Sequence, residues 1–156
     1  MKILLVCTGN TCRSPLAEAL LRRALDEAGV TGVEVSSAGT GAWIGEPVSE
    51  GAYLVGLERG LDLANHRARL LNEKLVADHD LILTLARGHR KKVQALGGDT
   101  KTTRLGDFAG LTGDAAEVPD PVGGPIEGYR KAADQIAEMT RAVARRLAEE
   151  RSGGRR

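Results

Sequence analysis

Short apolar runs alternating with helical patterns predict an α/β fold, a single domain with a parallel sheet of about four strands and helices on both faces. Three observations carry that expectation. Ile3-Leu4-Leu5-Val6 is short, apolar and partly β-branched, as a strand buried on both faces must be, and a helical pattern follows it within one tight loop. Further strand-like runs at 33–36, 80–84 and 101–105 are each separated from the next by a stretch of helical character. Finally, Ala133, Ile136, Met139, Val143 and Leu147 recur at helical spacing and form one apolar stripe on a long last helix.

Taken in order, the elements each have a local reason. The first helix follows Ser14, a candidate N-cap, with Pro15 suited to the first helical position, and Gly29 is its natural stop. Residues 33–36 alternate and read as the second strand, ending at Ser37-Ala38-Gly39. A glycine-punctuated loop over 40–47 carries the single tryptophan, Trp43. A helix over about 49–59 is closed by Gly60, and Asn72 is placed to cap a short helical turn. The run 80–84 is apolar on both faces and reads as a central strand. A basic helix over 86–96 stops at Gly97-Gly98, and 101–105, more polar, reads as an edge strand. Residues 106–124 are expected to be irregular, and the last helix to run from about 126 to 151. The domain therefore spans 1–151, and 152–156 is expected to fray. Right-handed crossovers place the loop after the first strand at the carboxyl edge of the sheet, where ligands bind in such folds.

Composition narrows the function. With 22 Lys+Arg against 21 Asp+Glu the net charge is +1, which argues against a nucleic-acid binder working by bulk electrostatics. No apolar stretch reaches membrane-spanning length and no signal-peptide pattern precedes the first strand, so a cytoplasmic protein without membrane contact is expected. The only cysteines, Cys7 and Cys12, share one loop; they cannot staple distant parts of the fold, and alone they under-ligate a metal. No metal or cofactor is expected.

The chemistry concentrates in Cys7-Thr8-Gly9-Asn10-Thr11-Cys12-Arg13-Ser14-Pro15. Strand, loop and helix start follow one another directly, which aims backbone N–H groups and the positive end of a helix at one point. A helix N-terminus and a nearby cation hold thiols as reactive thiolates, so Cys7 is a candidate nucleophile. Arg13 would bind two oxygens of a phosphoryl group through its planar fork. Ser14 could hydrogen-bond the sulfur, and Thr8, Gly9, Asn10, Thr11 and Cys12 would offer N–H groups to the anion. Of the carboxylates in the late loop, Asp107, Asp114 and Asp120, residue chemistry alone does not select the proton donor.

These residues resemble the low-molecular-weight protein tyrosine phosphatases. The shared pattern is Cys-x5-Arg-Ser at the start of the chain, with Gly9-Asn10 inside the loop and a second cysteine beside the arginine. Ser37-Ala38-Gly39-Thr40 and the late Asp120-Pro121 extend the likeness over nearly the whole chain. The resemblance implies a phosphatase acting through a phosphocysteine, with Asp120 as general acid. It implies a buried polar network of Asn10, Ser37 and His66 that holds the loop in shape. It also implies that Cys12 pairs reversibly with Cys7 on oxidation, a role weighed against simple loop packing. In such a family the loop bearing Trp43 walls the substrate slot, a place weighed against a core-capping tryptophan. His79 and His89 read as solvated side chains on polar helices.

Substrate choice turns on Thr11, Trp43 and Val122 as candidate pocket residues. Thr11 resembles the bacterial branch that removes phosphate from arginine, and Val122-Gly123-Gly124 stands where tyrosine-specific members carry aromatics. A monomer acting on phosphorylated protein, phosphoarginine favoured over phosphotyrosine, is the expectation. Arsenate reduction and non-catalytic phosphate binding are the rivals; a relay of further cysteines for the first is absent beyond residue 12.

Overall fold

The computed structural model describes residues 1–153 and holds a four-stranded, wholly parallel sheet in the order β2-β1-β3-β4. The strands are β1 (Lys2–Cys7), β2 (Glu34–Gly39), β3 (Leu81–Thr84) and β4 (Thr102–Arg104). The helices are α1 (Arg13–Glu27), α2 (Glu50–Glu58), α3 (Glu73–Asp78), α4 (Arg90–Ala95), α5 (Leu105–Phe108) and α6 (Ile126–Gly153).

Alternation along β1 divides the core. Ile3, Leu5 and Cys7 face one layer, built with Leu16, Leu20 and Leu21 of α1, Ala52 and Val55 of α2, and Ile136, Met139 and Val143 of α6. Leu4 and Val6 face the other, with Val76 of α3 and Val93 of α4. A strand that buries both faces needs continuous apolar residues, which is what residues 3–6 supply. All five positions of the last-helix stripe are buried, so α6 packs along its apolar face onto α1. Asn72 caps α3 as expected, its side chain accepting from the Leu75 N–H at 2.9 Å.

Several local expectations are corrected. Helix α1 begins at Arg13 with Cys12 at the N-cap, so Ser14 and Pro15 already lie inside the first turn. The loop turns into the helix sooner than a side-chain cap would require, because other parts of the chain hold its carbonyls. The basic segment is a 3-10 turn, Arg87–His89, followed by α4, rather than one helix over 86–96. Residues 106–124 include the end of α5 and a 3-10 turn at Gly113–Ala116. Ser152 and Gly153 still belong to α6, past the expected helix end near residue 151; 154–156 of the expected tail lie outside the described residues. Among the described residues no helix is long and apolar enough to cross a membrane.

Candidate active site

The loop between β1 and α1 sits at the carboxyl edge of the sheet, beside the point where the chain order turns from β2 on one side of β1 to β3 on the other. Its carbonyls are drawn outward. Cys7 O accepts from Thr40 N and Thr8 O from Gly41 N, both at 2.9 Å. Asn10 O meets His66 Nε2 at 2.7 Å, and Thr11 O accepts from the Ser49 N–H at 2.8 Å and its hydroxyl at 3.2 Å. With the carbonyls held outside, the N–H groups of Gly9, Asn10, Thr11 and Cys12 are left for the interior, and among the described residues none of the four is donated to another backbone carbonyl. A ring of unspent donors is a cup for an oxyanion.

Asn10 sets the shape of that cup. Its φ is +55°, the only positive value among described residues other than glycine, and asparagine tolerates that left-handed conformation better than most side chains. Its amide is fully used. Nδ2 donates to Ser14 Oγ at 2.8 Å and Ser37 Oγ at 2.9 Å, and Oδ1 accepts from Arg69 N at 2.9 Å. Ser37 in turn donates to Glu18 Oε1 at 2.8 Å. The structure thus brings Asn10, Ser37 and His66 together around the loop. It adds Arg69 and Glu18, which motif reasoning missed because neither belongs to a recognisable pattern.

At the floor, Cys7 Sγ lies 2.9 Å from Ser14 Oγ. Ser14 already accepts from Asn10, so its own proton is free to serve a thiolate. Arg13 is buried, with NH1 donating to Val118 O at 3.0 Å and NH2 reaching Asp120 Oδ2 at 3.6 Å and Thr8 Oγ1 at 3.5 Å. The arginine therefore ties the anion loop to the segment bearing Asp120. Asp120 itself is half exposed, and its Oδ1 accepts from Val122 N at 3.1 Å. Asp107 instead pairs with Arg104 and Asp114 with Arg87, and of the three carboxylates only Asp120 lines the pocket of the anion loop.

Cys7, Thr8, Gly9, Thr11, Cys12 and Arg13 wall a pocket of about 160 Å³, roofed by Asp120 and Val122. Trp43 is not among these walls. It stands 79% exposed on the loop after β2, which sets aside a core-capping role. Both cysteines are free and buried. Burial, together with the charges of Cys7 and Asp120, pushes the Cys12 thiol up to about 12, against the opposite pull of Arg13 and Ser49. Cys12 is a protonated thiol at neutral pH. Among the described residues no group of three or more His, Cys, Asp or Glu is placed to hold a metal ion.

The two histidines expected to be solvated are buried instead. His79 bonds Ser36 Oγ at 2.9 Å and Leu75 O at 2.6 Å, tying α3 to β2. His89 reaches Thr8 Oγ1 in the anion loop at 3.0 Å, across a sequence separation of 81. Burial and the facing Arg13 guanidinium push its pKa down from 6.5 to about 4, with Glu117 and Asp120 acting the other way.

A parallel sheet with an oxyanion cup built from its first loop, a cysteine at the floor and an arginine at the lip, defines the cysteine-dependent phosphatases as a class. The family model for low molecular weight phosphotyrosine protein phosphatase matches residues 2–153, so the chain belongs to that family. It is 38% identical over 149 residues to a protein-arginine-phosphatase of Geobacillus stearothermophilus, covering 94% of this chain and 95% of that protein. It is 34% identical over 137 residues to the low molecular weight protein-tyrosine-phosphatase Wzb of Escherichia coli (strain K12), covering 88% and 84%. A solved cysteine-to-serine mutant of the YwlE arginine phosphatase, with a phosphorylated active-site serine, superposes with a TM-score of 0.89 at 34% identity, covering 97% of this chain and 99% of that one.

Proposed function

We propose that this phosphatase hydrolyses phosphorylated protein side chains through a phosphocysteine at Cys7, with phosphoarginine as the preferred substrate. The observation that carries the reading is Cys7 Sγ on the floor of a donor-lined cup, 2.9 Å from Ser14 Oγ, with Arg13 and Asp120 across it. The Cys7 thiolate attacks phosphorus as the bond to the leaving nitrogen breaks, and the Asp120 carboxylic acid gives that nitrogen its proton. Loop N–H groups and the Arg13 fork stabilise the charge on the equatorial oxygens. In the second half, Asp120 takes a proton from water as the water oxygen attacks phosphorus. The sulfur leaves as a thiolate that accepts from Ser14, and inorganic phosphate is released. A relative that carries phosphate on a serine at its active site supports the covalent intermediate.

Support for arginine comes from the Thr11 hydroxyl on the pocket wall and from relatives named protein-arginine-phosphatases. A guanidinium offers N–H groups that a threonine oxygen accepts, whereas a phenyl ring gains nothing from it. The second reading, phosphotyrosine, has in its favour the exposed apolar Val122 at the rim and the relative named a protein-tyrosine-phosphatase.

Phosphoarginine and phosphotyrosine peptides should be compared on the parent, Thr11→Ile and Cys7→Ser. Cys7→Ser is expected to lose turnover on both while still binding vanadate. Thr11→Ile is expected to move the ratio of kcat/KM values toward phosphotyrosine by roughly ten- to a hundredfold, the effect of one unmade hydrogen bond. A parent that prefers phosphotyrosine, with the ratio unmoved by Thr11→Ile, would leave the tyrosine reading standing. Turnover by Cys7→Ser near the parent rate would remove the phosphocysteine. Absence of hydrolysis by the reduced parent, with vanadate still bound, would leave a phosphate-binding module.

A further inference from the structure

We infer that the Thr8 hydroxyl is an additional hydrogen-bond donor to the bound phosphoryl group, and that His89 is the positioning residue that commits it to that direction. The inference rests on the anion-cup reading above and assigns two side chains that the chemistry of Cys7, Arg13 and Asp120 does not use.

Protons and lone pairs at Thr8 and His89 fix the direction of the hydroxyl. Thr8 Oγ1 has one proton and two lone pairs. Arg13 NH2, 3.5 Å away, has only protons to offer, so it occupies one lone pair. His89 Nε2, 3.0 Å away, either donates to the second lone pair or accepts the Thr8 proton. The other ring nitrogen decides between them. Nδ1 of His89 is buried and meets no hydrogen-bonding group among the described residues. A neutral ring has one proton. Placing it on Nδ1 would bury an N–H without an acceptor, and buried unpaired N–H groups are rarer and costlier than under-used lone pairs. The proton therefore belongs on Nε2 and is donated to Thr8. With both lone pairs taken, the Thr8 O–H projects away from Arg13 and His89, toward the pocket that Thr8 lines.

Neutrality of the ring is secured by the same surroundings. His89 is 5% exposed and faces the Arg13 guanidinium, which together hold its pKa near 4. The Thr8 hydroxyl adds a side-chain donor beside the Arg13 fork, on the strand side of the cup. Its partner is a non-bridging phosphoryl oxygen, where negative charge accumulates as the bond to the leaving group breaks.

The test uses the whole chain, a chromogenic aryl phosphate for kcat and KM, vanadate for oxyanion affinity, and thermal midpoints as a fold control. Thr8→Val, which keeps the shape and removes the hydroxyl, is expected to lower kcat/KM and weaken vanadate by about ten- to a hundredfold. Thr8→Ser, which restores the hydroxyl without the methyl, is expected to recover most of what Thr8→Val loses. His89→Phe should fall as Thr8→Val does, and His89→Gln should recover most of the loss, because its amide N–H takes the place of Nε2–H. Thr8→Val combined with His89→Phe should be no worse than either alone, since both remove one donor. If His89→Phe does not fold, Thr8→Val and His89→Gln carry the test. Parent kcat/KM and vanadate affinity in Thr8→Val would overturn the donor role. A His89→Gln enzyme as impaired as Thr8→Val would overturn the positioning role. A reduced parent without esterase activity would sink the phosphatase reading instead, and the vanadate arm would still decide the role of Thr8.

Discussion

At His89, burial and the facing Arg13 guanidinium keep the ring neutral down to about pH 4, whereas unfolding returns it to a pKa of 6.5. As pH falls through that interval the unfolded chain binds a proton at this ring and the folded chain does not, so stability is lost on the acid side. Cys12 acts at the other end. Its thiol ionises near 9.0 when unfolded and near 12 when folded, so stability is lost as pH rises from 9 toward 12. Urea midpoints measured against pH are expected to show both shoulders, the acid one flattened in His89→Gln and the alkaline one in Cys12→Ala. A His89→Gln profile parallel to the parent between pH 4 and 6.5 would contradict the first. The burial of His89 was not legible locally. His89 stands in Arg87-Gly88-His89-Arg90-Lys91-Lys92, which reads as a solvated face, and its partner Thr8 is brought to it only by the pairing of β3 with β1.

Among the elements, β2 and the anion loop meet backbone to backbone. A Cβ on Gly39 would stand 2.4 Å from Thr8 O and 2.9 Å from Asn10 N, so the last residue of β2 is in effect a seat for the loop. Those contacts are backbone and cannot swing aside. Gly39→Ala is expected to cost about 1–3 kcal/mol in urea unfolding, as overpacking does. It should also lower vanadate affinity by more than the stability loss alone would suggest, because the shift falls on the donors themselves. Parent affinity in that variant would mean the loop yields without losing its shape. The strand-loop-helix unit was legible because its cues are local: an apolar run, Gly9, Arg13 and the helix pattern are contiguous. What escaped was the helix start. Ser14 and Pro15 match a cap and a first position, but Ser49 and residues 40–41 pull the loop carbonyls outward, and Arg13 is already helical. Contacts from 30 or more residues away decided that boundary.

Across the molecule, strand-like runs alternating with helical patterns were enough for a parallel sheet covered on both faces, the arrangement that commonly buries runs such as residues 3–6 on two sides. Lateral order was not legible, because pairing β1 with both β2 and β3 is a choice among distant partners. Helix α6 was the plainest long element, its stripe of Ala133, Ile136, Met139, Val143 and Leu147 buried throughout. Placing β1 between β2 and β3 has a consequence in time. The segment bearing Cys7 is made first, yet its surroundings arrive in instalments: the Gly39 seat, the Arg69 N–H on Asn10, the Val118 carbonyl on Arg13, and last the α6 face against α1. Contacts of such sequence separation close late, because the chain entropy of long loops is lost before they form. Refolding from urea should therefore regain helical signal before ester hydrolysis, with activity following the slowest phase. Activity recovered in the earliest phase would contradict this. A nascent chain would hold its cysteine in an unfinished cup until the C-terminal helix docks.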